Sequence, residues 1–372
     1  MAALADIRKG FGRLLGKSLS DFNPFRGEEA YLAADIGSAT IKLLEVRGGD
    51  GNLRVTAFGS LPTPPGAVQS NTISDQQAVA DILRTLIDSK KMKARKVLTC
   101  VPGPAVIIKR MQLPAQSPEE METTIAYEAG NFIPDDLENV SVDYQVTDYV
   151  EDGKRMEVLL VAAKRDIVGS YTDTIRAAGL APAVVDVDYF ALENMFELNY
   201  DAQPDQVIAL VNIGARYSSI NILKGGKSTF TGDVPVGGRD VSEALMRELS
   251  IGAEDAETLM SGGSVRQISP EQAEIVLSSA TDGLIDEIHH ALGFFWTAAT
   301  DEAISSVYLS GGSTRMVALS ENLSNRLEVP VHVVDPLARV TVDRQADTPA
   351  LREQAASLAV AIGLAVRRPE DK

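Results

Sequence analysis

Two segments of this chain share one layout: an apolar strand runs into a short turn that contains glycine, and a second strand follows. The first segment spans residues 31–43 and turns at Gly37, and the second spans residues 208–220 and turns at Gly214. Each pattern predicts a β-hairpin. Because glycine tolerates close approach and a positive φ, the backbone N–H groups beside it can face outward and form a concave anion site. The sequence therefore predicts a fold built around two hairpins, each of which offers such a site.

Two turns of this kind that face each other across a cleft can hold a nucleoside triphosphate from both sides. A third glycine-containing segment, residues 309–314, follows the hairpins. One such turn is common in proteins, whereas this combination in one chain is a specific signal. The length of 372 residues exceeds one ordinary hydrophobic core, so we expect about two lobes.

The composition limits the kinds of partner. The formal net charge of −17 argues against nucleic-acid binding, which depends on neutralising phosphates with Lys and Arg. The single cysteine, Cys100, lies in the apolar run at residues 97–101, cannot form an intramolecular disulfide, and suits a reducing cytoplasm. No run of about 18 apolar residues is present, so we expect no membrane-spanning helix.

The N-terminal leader, residues 1–28, differs in charge from the rest of the chain. Residues 1–27 carry five basic and two acidic side chains, and their apolar residues recur at helical spacing. This pattern predicts a basic amphipathic helix. Such a helix either contacts anionic lipid or a partner, or packs on its own protein, and the sequence leaves both readings open.

Strands and helices are predicted from hydrophobic periodicity and from turn signals. Ser117 and Glu120 form a capping-box pattern, with Pro118 at the first helical position. The expected strands lie within residues 30–60, 97–101, 105–113, 140–149, 156–163, 207–232 and 306–309; the expected helices are 74–90, opened by Ser74, then 117–131, 165–178, most of 241–299, 316–327 and 351–366.

Several stretches together carry a family resemblance: residues 35–45, 132–137, 143–146, 161–164, 179–186, 212–214, 234–238, 309–312 and 359–364. The glycine motifs among them are shared by the superfamily of actin-like proteins, sugar kinases and chaperone ATPases. The middle segments resemble the PilM family in particular, the actin-like proteins of type IV pilus assembly, which are relatives of the division protein FtsA. The resemblance covers nearly everything from residue 30 onward and excludes residues 1–27.

The resemblance implies an α/β actin-like ATPase fold with two lobes, each a mixed β-sheet flanked by helices, and a small inserted α+β subdomain. The implied boundaries are residues 29–104 plus 184–205 and 341–372 for the first lobe, 105–183 for the inserted subdomain, 206–240 plus 300–340 for the second lobe, and 241–299 for a helical subdomain of the second lobe.

For the first hairpin, the resemblance implies a phosphate-binding turn for ATP. Asp35 would orient Mg²⁺ through its water shell, since this ion retains waters in most protein sites. The turn residues Gly37, Ser38, Ala39 and Thr40 would bind the β- and γ-phosphates. Lys42 either reaches the cleft or covers the strand.

The second hairpin departs from the superfamily pattern, because Asn212 replaces a carboxylate. An amide can hydrogen-bond a metal-bound water, but it cannot act as a base. Beyond Gly214, Arg216 either touches phosphate or is solvated. This departure makes ATP binding the expectation, with hydrolysis weak or absent.

Two further glycine pairs complete the implied cofactor site. Gly311 and Gly312, with Ser313, resemble the loop on which the adenosine of ATP lies. Gly237 and Gly238, before the next expected helix, are expected to approach the nucleotide more weakly.

The family resemblance also implies a role and partners: an ATP-binding scaffold of the type IV pilus platform that acts in twitching motility. It would be cytoplasmic and peripheral at the inner membrane. It would bind the N-terminal peptide of PilN, self-associate in a ring, and connect indirectly to PilO, PilC and the motor ATPases. Two alternatives remain, an FtsA-like membrane-tethered polymer and a small-molecule kinase, although Asn212 offers the kinase reaction no base.

Overall fold

The computed structural model describes residues 29–49, 51–134, 136–298 and 303–369, so the leader and its expected amphipathic helix lie outside the described residues. The strands are β1 Tyr31–Ile36, β2 Thr40–Arg47, β3 Arg54–Pro62, β4 Val68–Gln69, β5 Thr72–Ile73, β6 Lys96–Val101, β7 Val106–Pro114, β8 Val140–Val150, β9 Arg155–Lys164, β10 Ala181–Val187, β11 Val207–Ile213, β12 Ser218–Lys224, β13 Lys227–Val234, β14 Ser306–Ser310, β15 Val331–Val333 and β16 Thr341–Val342. The α-helices are α1 Gln76–Lys90, α2 Pro118–Phe132, α3 Arg165–Ala177, α4 Asp188–Asn199, α5 Gly238–Leu249, α6 Ala253–Met260, α7 Pro270–Ala298, α8 Leu319–Leu327, α9 Pro349–Glu353 and α10 Ala359–Ala365. The expected α/β class is confirmed.

A six-stranded mixed sheet of order β10-β6-β1-β2-β3-β16 forms the centre of what we call the first lobe. Strand β1 pairs antiparallel with β2 and parallel with β6. Side chains alternate along β1, as strand geometry requires. Leu32 and Ala34 join the apolar cluster of α1 and α3, while Ala33 joins that of α4 and α10 on the opposite face. Helices therefore cover both faces of this sheet.

A second mixed sheet, of order β13-β12-β11-β14-β15, forms the centre of the second lobe. Val211 of its central strand packs with α5, α7 and α8, whereas Leu210 faces the cluster that contains α4. Helix α4 is buried along most of its length because it lies between the two sheets. Its N-terminal residue, Asp188, thus lies where the two lobes meet.

A small subdomain, residues 106–164, consists of α2 and a three-stranded antiparallel sheet of order β7-β9-β8. It has its own apolar cluster, in which Met121 and Ile125 pack against Leu160. The capping box is formed as expected, since the Ser117 hydroxyl accepts from the Glu120 N–H and the Glu120 carboxylate accepts from the Ser117 N–H.

Helix α3 corrects the expected extent of the inserted subdomain, 105–183. Tyr171 and Ile175 of α3 belong to the apolar cluster of the first lobe, where the helix packs beside α1 and β10. The chain therefore returns to the first lobe at the end of β9, because the apolar face of α3 matches the larger sheet. Because α3 directly follows a strand of the small subdomain in the sequence, its packing against the first lobe was not predicted.

Four helix boundaries differ from the expected ones. Asp75, one residue after Ser74, caps α1 by accepting from the Ala78 N–H. Residues 261–269 interrupt the expected helical stretch 241–299. In the expected helix 316–327, the Val317 N–H instead donates to the carbonyl of Met260, and α8 begins only at Leu319. The expected helix 351–366 is broken after α9 and resumes as α10 on the first sheet. Within the described residues, no helix has the length and apolarity that crossing a membrane requires.

Candidate functional site

The turns of the two predicted hairpins line opposite sides of one cavity of about 510 Å³ between the lobes. Every predicted site residue except two lines this cavity: Asp35, Gly37, Ser38, Ala39, Thr40, Lys42, Asn212, Gly214, Gly238, Gly311, Gly312 and Ser313. The exceptions are Arg216, whose side chain is exposed, and Gly237. Three sequence segments that are far apart in the chain thus meet at one site.

In the first hairpin, Asp35 and Lys42 are direct cross-strand partners. The Lys42 Nζ atom lies 2.9 Å from the Asp35 Oδ2 atom, and their side chains are only 13% and 16% exposed. Between the two readings of Lys42, the structure supports the one in which the side chain reaches the cleft. The pair places one cationic and one anionic group beside the first hairpin turn.

In the first turn, two carbonyls are occupied by hydrogen bonds, whereas two N–H groups are not. The Thr63 hydroxyl donates to the carbonyl of Gly37 at 2.6 Å, and the Thr63 N–H donates to that of Ala39 at 2.9 Å. Within the described chain, the N–H groups of Ser38 and Ala39 have no hydrogen-bond partner. A turn whose carbonyls are occupied and whose N–H groups are available suits an anion. Thr63 was not predicted, because it lies in the loop after β3, outside the hairpin motif.

The second turn is held in the same way by different partners. The carbonyl of Gly214 accepts from the Gly238 N–H at 2.9 Å and from the Ser313 hydroxyl at 3.1 Å. The carbonyl of Ala215 accepts from the N–H of Arg239, the second residue of α5, at 2.8 Å. Two of the predicted residues, Gly238 and Ser313, therefore stabilise the second turn by hydrogen bonds and also line the cavity.

The structure gives Gly237 a packing role where nucleotide contact was expected. A Cβ atom at Gly237 would lie 2.6 Å from the carbonyl oxygen of Gly214, so only glycine fits this close approach. Gly311 has a φ of +99°, and a Cβ there would collide with the carbonyl of Ile213. Both glycines let the segments around the cavity pack directly against the second hairpin.

Asp188, which the sequence analysis missed, adds a second carboxylate to the floor of the cavity. The Tyr217 hydroxyl donates to its Oδ2 atom at 2.9 Å. Its Oδ1 atom is buried without a well-formed hydrogen bond in the described part of the chain, although the N–H groups of Tyr189 and Gly103 lie close to the carboxylate. Burial raises the pKa of Asp188 to about 7. The available signal was an acidic residue directly after an apolar strand.

The acidic residues indicate which side chains could hold a cation. Asp35 and Asp188 both line the cavity, and Mg²⁺ is bound in proteins by one or two carboxylates together with waters and phosphate oxygens. Asn212 supplies no charge, and its Oδ1 atom accepts from the Ser310 hydroxyl at 3.1 Å. Asp188, with a pKa near neutrality, is the kind of group that can accept a proton. Burial raises the pKa of Cys100, so this thiol at the cavity wall is a poor nucleophile.

The end of the cavity beside α5 and α6 differs in character from the turns. Met246, Met260 and Met316 line it, together with the polar side chains of Ser242 and Glu243. Methionine side chains adapt to flat or irregular ligands, and polar groups around them fix orientation. The cavity as a whole thus has an end suited to phosphates and a cation and an end suited to an apolar ring.

Comparisons with known proteins show which family the sequence matches and which solved structures share the fold. The family model described as type IV pilus assembly protein PilM matches residues 33–369. A chain in a solved PilM–PilN type IV pilus biogenesis complex is 28% identical, with a TM-score of 0.80 over 92% of this chain and 98% of that chain. The ethanolamine utilization protein EutJ from Carboxydothermus hydrogenoformans shares the fold at 16% identity, with a TM-score of 0.54 over 91% of this chain and 89% of its own. The cell division protein FtsA of Bacillus subtilis is 22% identical over 62% of this chain and 57% of its own length.

Proposed function

Since the chain belongs to the PilM family of type IV pilus assembly proteins, we propose that it is an ATP-binding scaffold of a type IV pilus assembly platform. The observation that carries the nucleotide part of this proposal is the shared cavity of the two hairpin turns. In each turn, two carbonyls accept hydrogen bonds from neighbouring segments, and residues of both turns line the cavity.

The residues divide into groups by what they would bind. The N–H groups of Ser38 and Ala39, together with Lys42, would bind phosphate oxygens from the first lobe. Asp35 and Asp188 would hold Mg²⁺ through its waters, and the ion would neutralise phosphate charge. The loop at Gly311–Ser313 and the methionines of the opposite end would enclose the adenosine. We propose that hydrolysis is weak or absent, because Asn212 provides no base and Asp188 would hold Mg²⁺ rather than activate the attacking water.

The partner part of the proposal starts from the solved complex that this chain resembles, which contains PilM and PilN. We propose that the chain binds the N-terminal peptide of a PilN homologue in the groove between the first lobe and the small subdomain, residues 106–164. The chain would bind an extended peptide through backbone hydrogen bonds and through apolar pockets for its side chains. The chain would self-associate in a ring at the cytoplasmic face of the inner membrane. The ring would connect indirectly to PilO, PilC and the motor ATPases.

A calorimetric titration tests both parts. The PilN peptide is titrated into the full chain with and without Mg-ATP, and Mg-ATP is titrated alone. We expect one nucleotide per chain and a changed peptide affinity in its presence, since two ligands that favour different arrangements of the same lobes are coupled reciprocally. An Asp201→Asn variant serves as the control, because Asp201 is exposed and remote from the cavity. Absence of any nucleotide heat contradicts the cleft assignment, and absence of any peptide heat contradicts the partner.

The similarity to FtsA supports a second candidate, a membrane-bound polymer. In that case the basic residues 1–27 would attach the chain to anionic lipid. Co-sedimentation with anionic vesicles decides between the two, with the full chain compared with residues 28–372. Equal sedimentation of both chains contradicts the lipid contact of the leader.

A further inference from the structure

Strand β13 of the second lobe contacts the small subdomain at one end and leads into the cavity wall at the other. At its N-terminal end, the Arg110 guanidinium of β7 donates to the Ser228 hydroxyl at 3.1 Å. Lys227 and Asp148 of β8 form an exposed ion pair at 3.5 Å. At the C-terminal end of β13, residues 235–237 lead into α5, whose first residues brace the second hairpin turn. Strand β13 thus contacts the small subdomain at one end and is continuous with the wall of the proposed nucleotide site at the other.

Ser228 also connects this junction to the first lobe. Its N–H donates to the Glu193 carboxylate of α4 at 3.1 Å, and Ser228 itself is buried. The Arg110 guanidinium attracts the same carboxylate. Arg110, Ser228 and Glu193 therefore belong to three different bodies: the small subdomain, the second lobe and the first lobe.

The hinge of the small subdomain lies at the floor of the cavity. Pro102 lines the cavity, and the chain leaves the first lobe through Gly103. A side chain at Gly103 would collide with the ring of Tyr189, so this ring lies directly on the hinge backbone. Tyr189 follows Asp188 in α4, its hydroxyl lies near the carboxylate of Asp233 in β13, and residues 103–105 contact β13 directly. The hinge is thus in contact with both lobes.

Rigid-body movement at this junction is physically reasonable. The small subdomain has its own apolar cluster, and Val106, Ile108 and Val161 at the other face of its sheet pack against the first lobe. The Arg110–Ser228 and Lys227–Asp148 contacts with β13 are polar, in contrast to the apolar packing inside each body. Contacts of this kind can exchange without exposing a core, and hinges are a few residues at element ends.

We propose that β13 couples occupancy of the cleft to the orientation of the small subdomain, with Arg110, Ser228 and Glu193 as the contact that transmits the movement. A ligand that draws the two lobes together moves β13 relative to α4. Because Arg110 is bound to Ser228, the small subdomain moves with the strand. This inference deepens the proposed nucleotide function and rests on it.

Amide hydrogen exchange on the full chain tests the contact and the coupling separately. Arg110→Gln removes the guanidinium, and Lys109→Gln is the matched control, because Lys109 is its neighbour on β7 and lies over the Phe132 ring of the small subdomain. Without nucleotide, we expect exchange in β7 and at the start of β13 to be about tenfold faster in Arg110→Gln than in the wild type, and unchanged in Lys109→Gln. Equal exchange in all three chains overturns the contact.

The second arm adds Mg-AMPPNP. In the wild type, we expect Mg-AMPPNP to slow amide exchange in the segments that line the cavity and to change amide exchange in β7 to β9. In Arg110→Gln, we expect the slower exchange at the cavity to remain and the change in β7 to β9 to be lost. Protection at the wild-type cavity with no change in β7 to β9 overturns the coupling alone. No protection at the wild-type cavity contradicts the proposed nucleotide function, and the coupling with it. A change in β7 to β9 that persists in Arg110→Gln overturns the role of this contact.

Discussion

The paired side chains of Asp35 and Lys42 show how one cross-strand position can serve both stability and binding. Their burial means that removing one partner leaves the other charge unpaired, which costs about 1–3 kcal/mol. Asp35→Ala would therefore test two effects at once. Asp35→Asn is the sharper variant, because the amide oxygen can still accept from the Lys42 ammonium group.

We predict that Asp35→Asn weakens Mg-ATP binding about tenfold or more, since the metal-bound waters lose a charged acceptor. ATP binding in EDTA should be unchanged or tighter, because one negative charge near the phosphates is gone. Calorimetry with and without Mg²⁺ measures this difference. An equal loss under both conditions contradicts a role for Asp35 at the metal.

Asp188 leads to a prediction about stability and pH. Burial raises its pKa from 3.8 to about 7, so the folded chain holds a proton that the unfolded chain releases above pH 4. Unfolding free energy should therefore fall as pH rises from 5 to about 7, by up to about 3 kcal/mol from this residue. Glu193 and Asp233, whose pKa values burial raises to about 7 and about 6, act in the same direction.

We predict that Asp188→Asn makes the unfolding free energy less dependent on pH between 5 and 8, because the amide does not titrate. Urea unfolding in EDTA at pH 5 and at pH 8 measures this difference in unfolding free energy. Asp205→Asn is the control, since Asp205 is exposed. A pH dependence in Asp188→Asn as steep as in the wild type would show that this carboxyl is not the group that titrates.

At the scale of elements, the hairpin turns depend on residues outside the hairpins. Thr63 occupies two carbonyls of the first turn, as Gly238, Arg239 and Ser313 occupy those of the second. These bonds fix which backbone groups face the cavity. The glycines permit the turn conformations, and the neighbouring donors select among them.

We predict that Thr63→Val weakens nucleotide binding about threefold to tenfold, since the freed carbonyl of Gly37 competes for the position of the phosphate, and that it lowers the unfolding free energy by about 1 kcal/mol. Thr63→Ser retains the hydroxyl and should behave as the wild type. Nucleotide titration of both variants checks this. Equal affinity in the valine and serine variants contradicts the role of the hydroxyl.

The elements also show how far the sequence alone could lead. Both hairpins follow from local patterns and form around the predicted turns. The capping box at Ser117 is also local, and the three strands of the small subdomain form within one residue of the expected positions. The partner of α3 does not follow from a local pattern, because the helix directly follows β9 of the small subdomain but packs in the apolar cluster of the first lobe. The role of Gly237 depends on a backbone contact with Gly214, and no pattern around Gly237 reveals it.

At the scale of the whole molecule, the candidate site exists because α4 lies between two sheets. The sequence predicts the two lobes and the glycine-containing turns that line the cavity, since these belong to recurring motifs. It does not reveal Asp188, Tyr217 or the junction of β13, because each depends on how the lobes meet. The raised pKa values of Asp188, Glu193 and Asp233 all arise from burial near this seam.

The central claim is that the two glycine-containing turns bind one nucleotide from opposite walls of the cleft. A crystal structure with Mg-AMPPNP tests it most directly. We predict phosphate oxygens within hydrogen-bond distance of the N–H groups of Ser38 and Ala39, the second hairpin turn against the same nucleotide, and the adenosine beside Gly311 and Gly312. Well-defined nucleotide elsewhere, or no nucleotide at saturating concentration with both turns open, would contradict the claim.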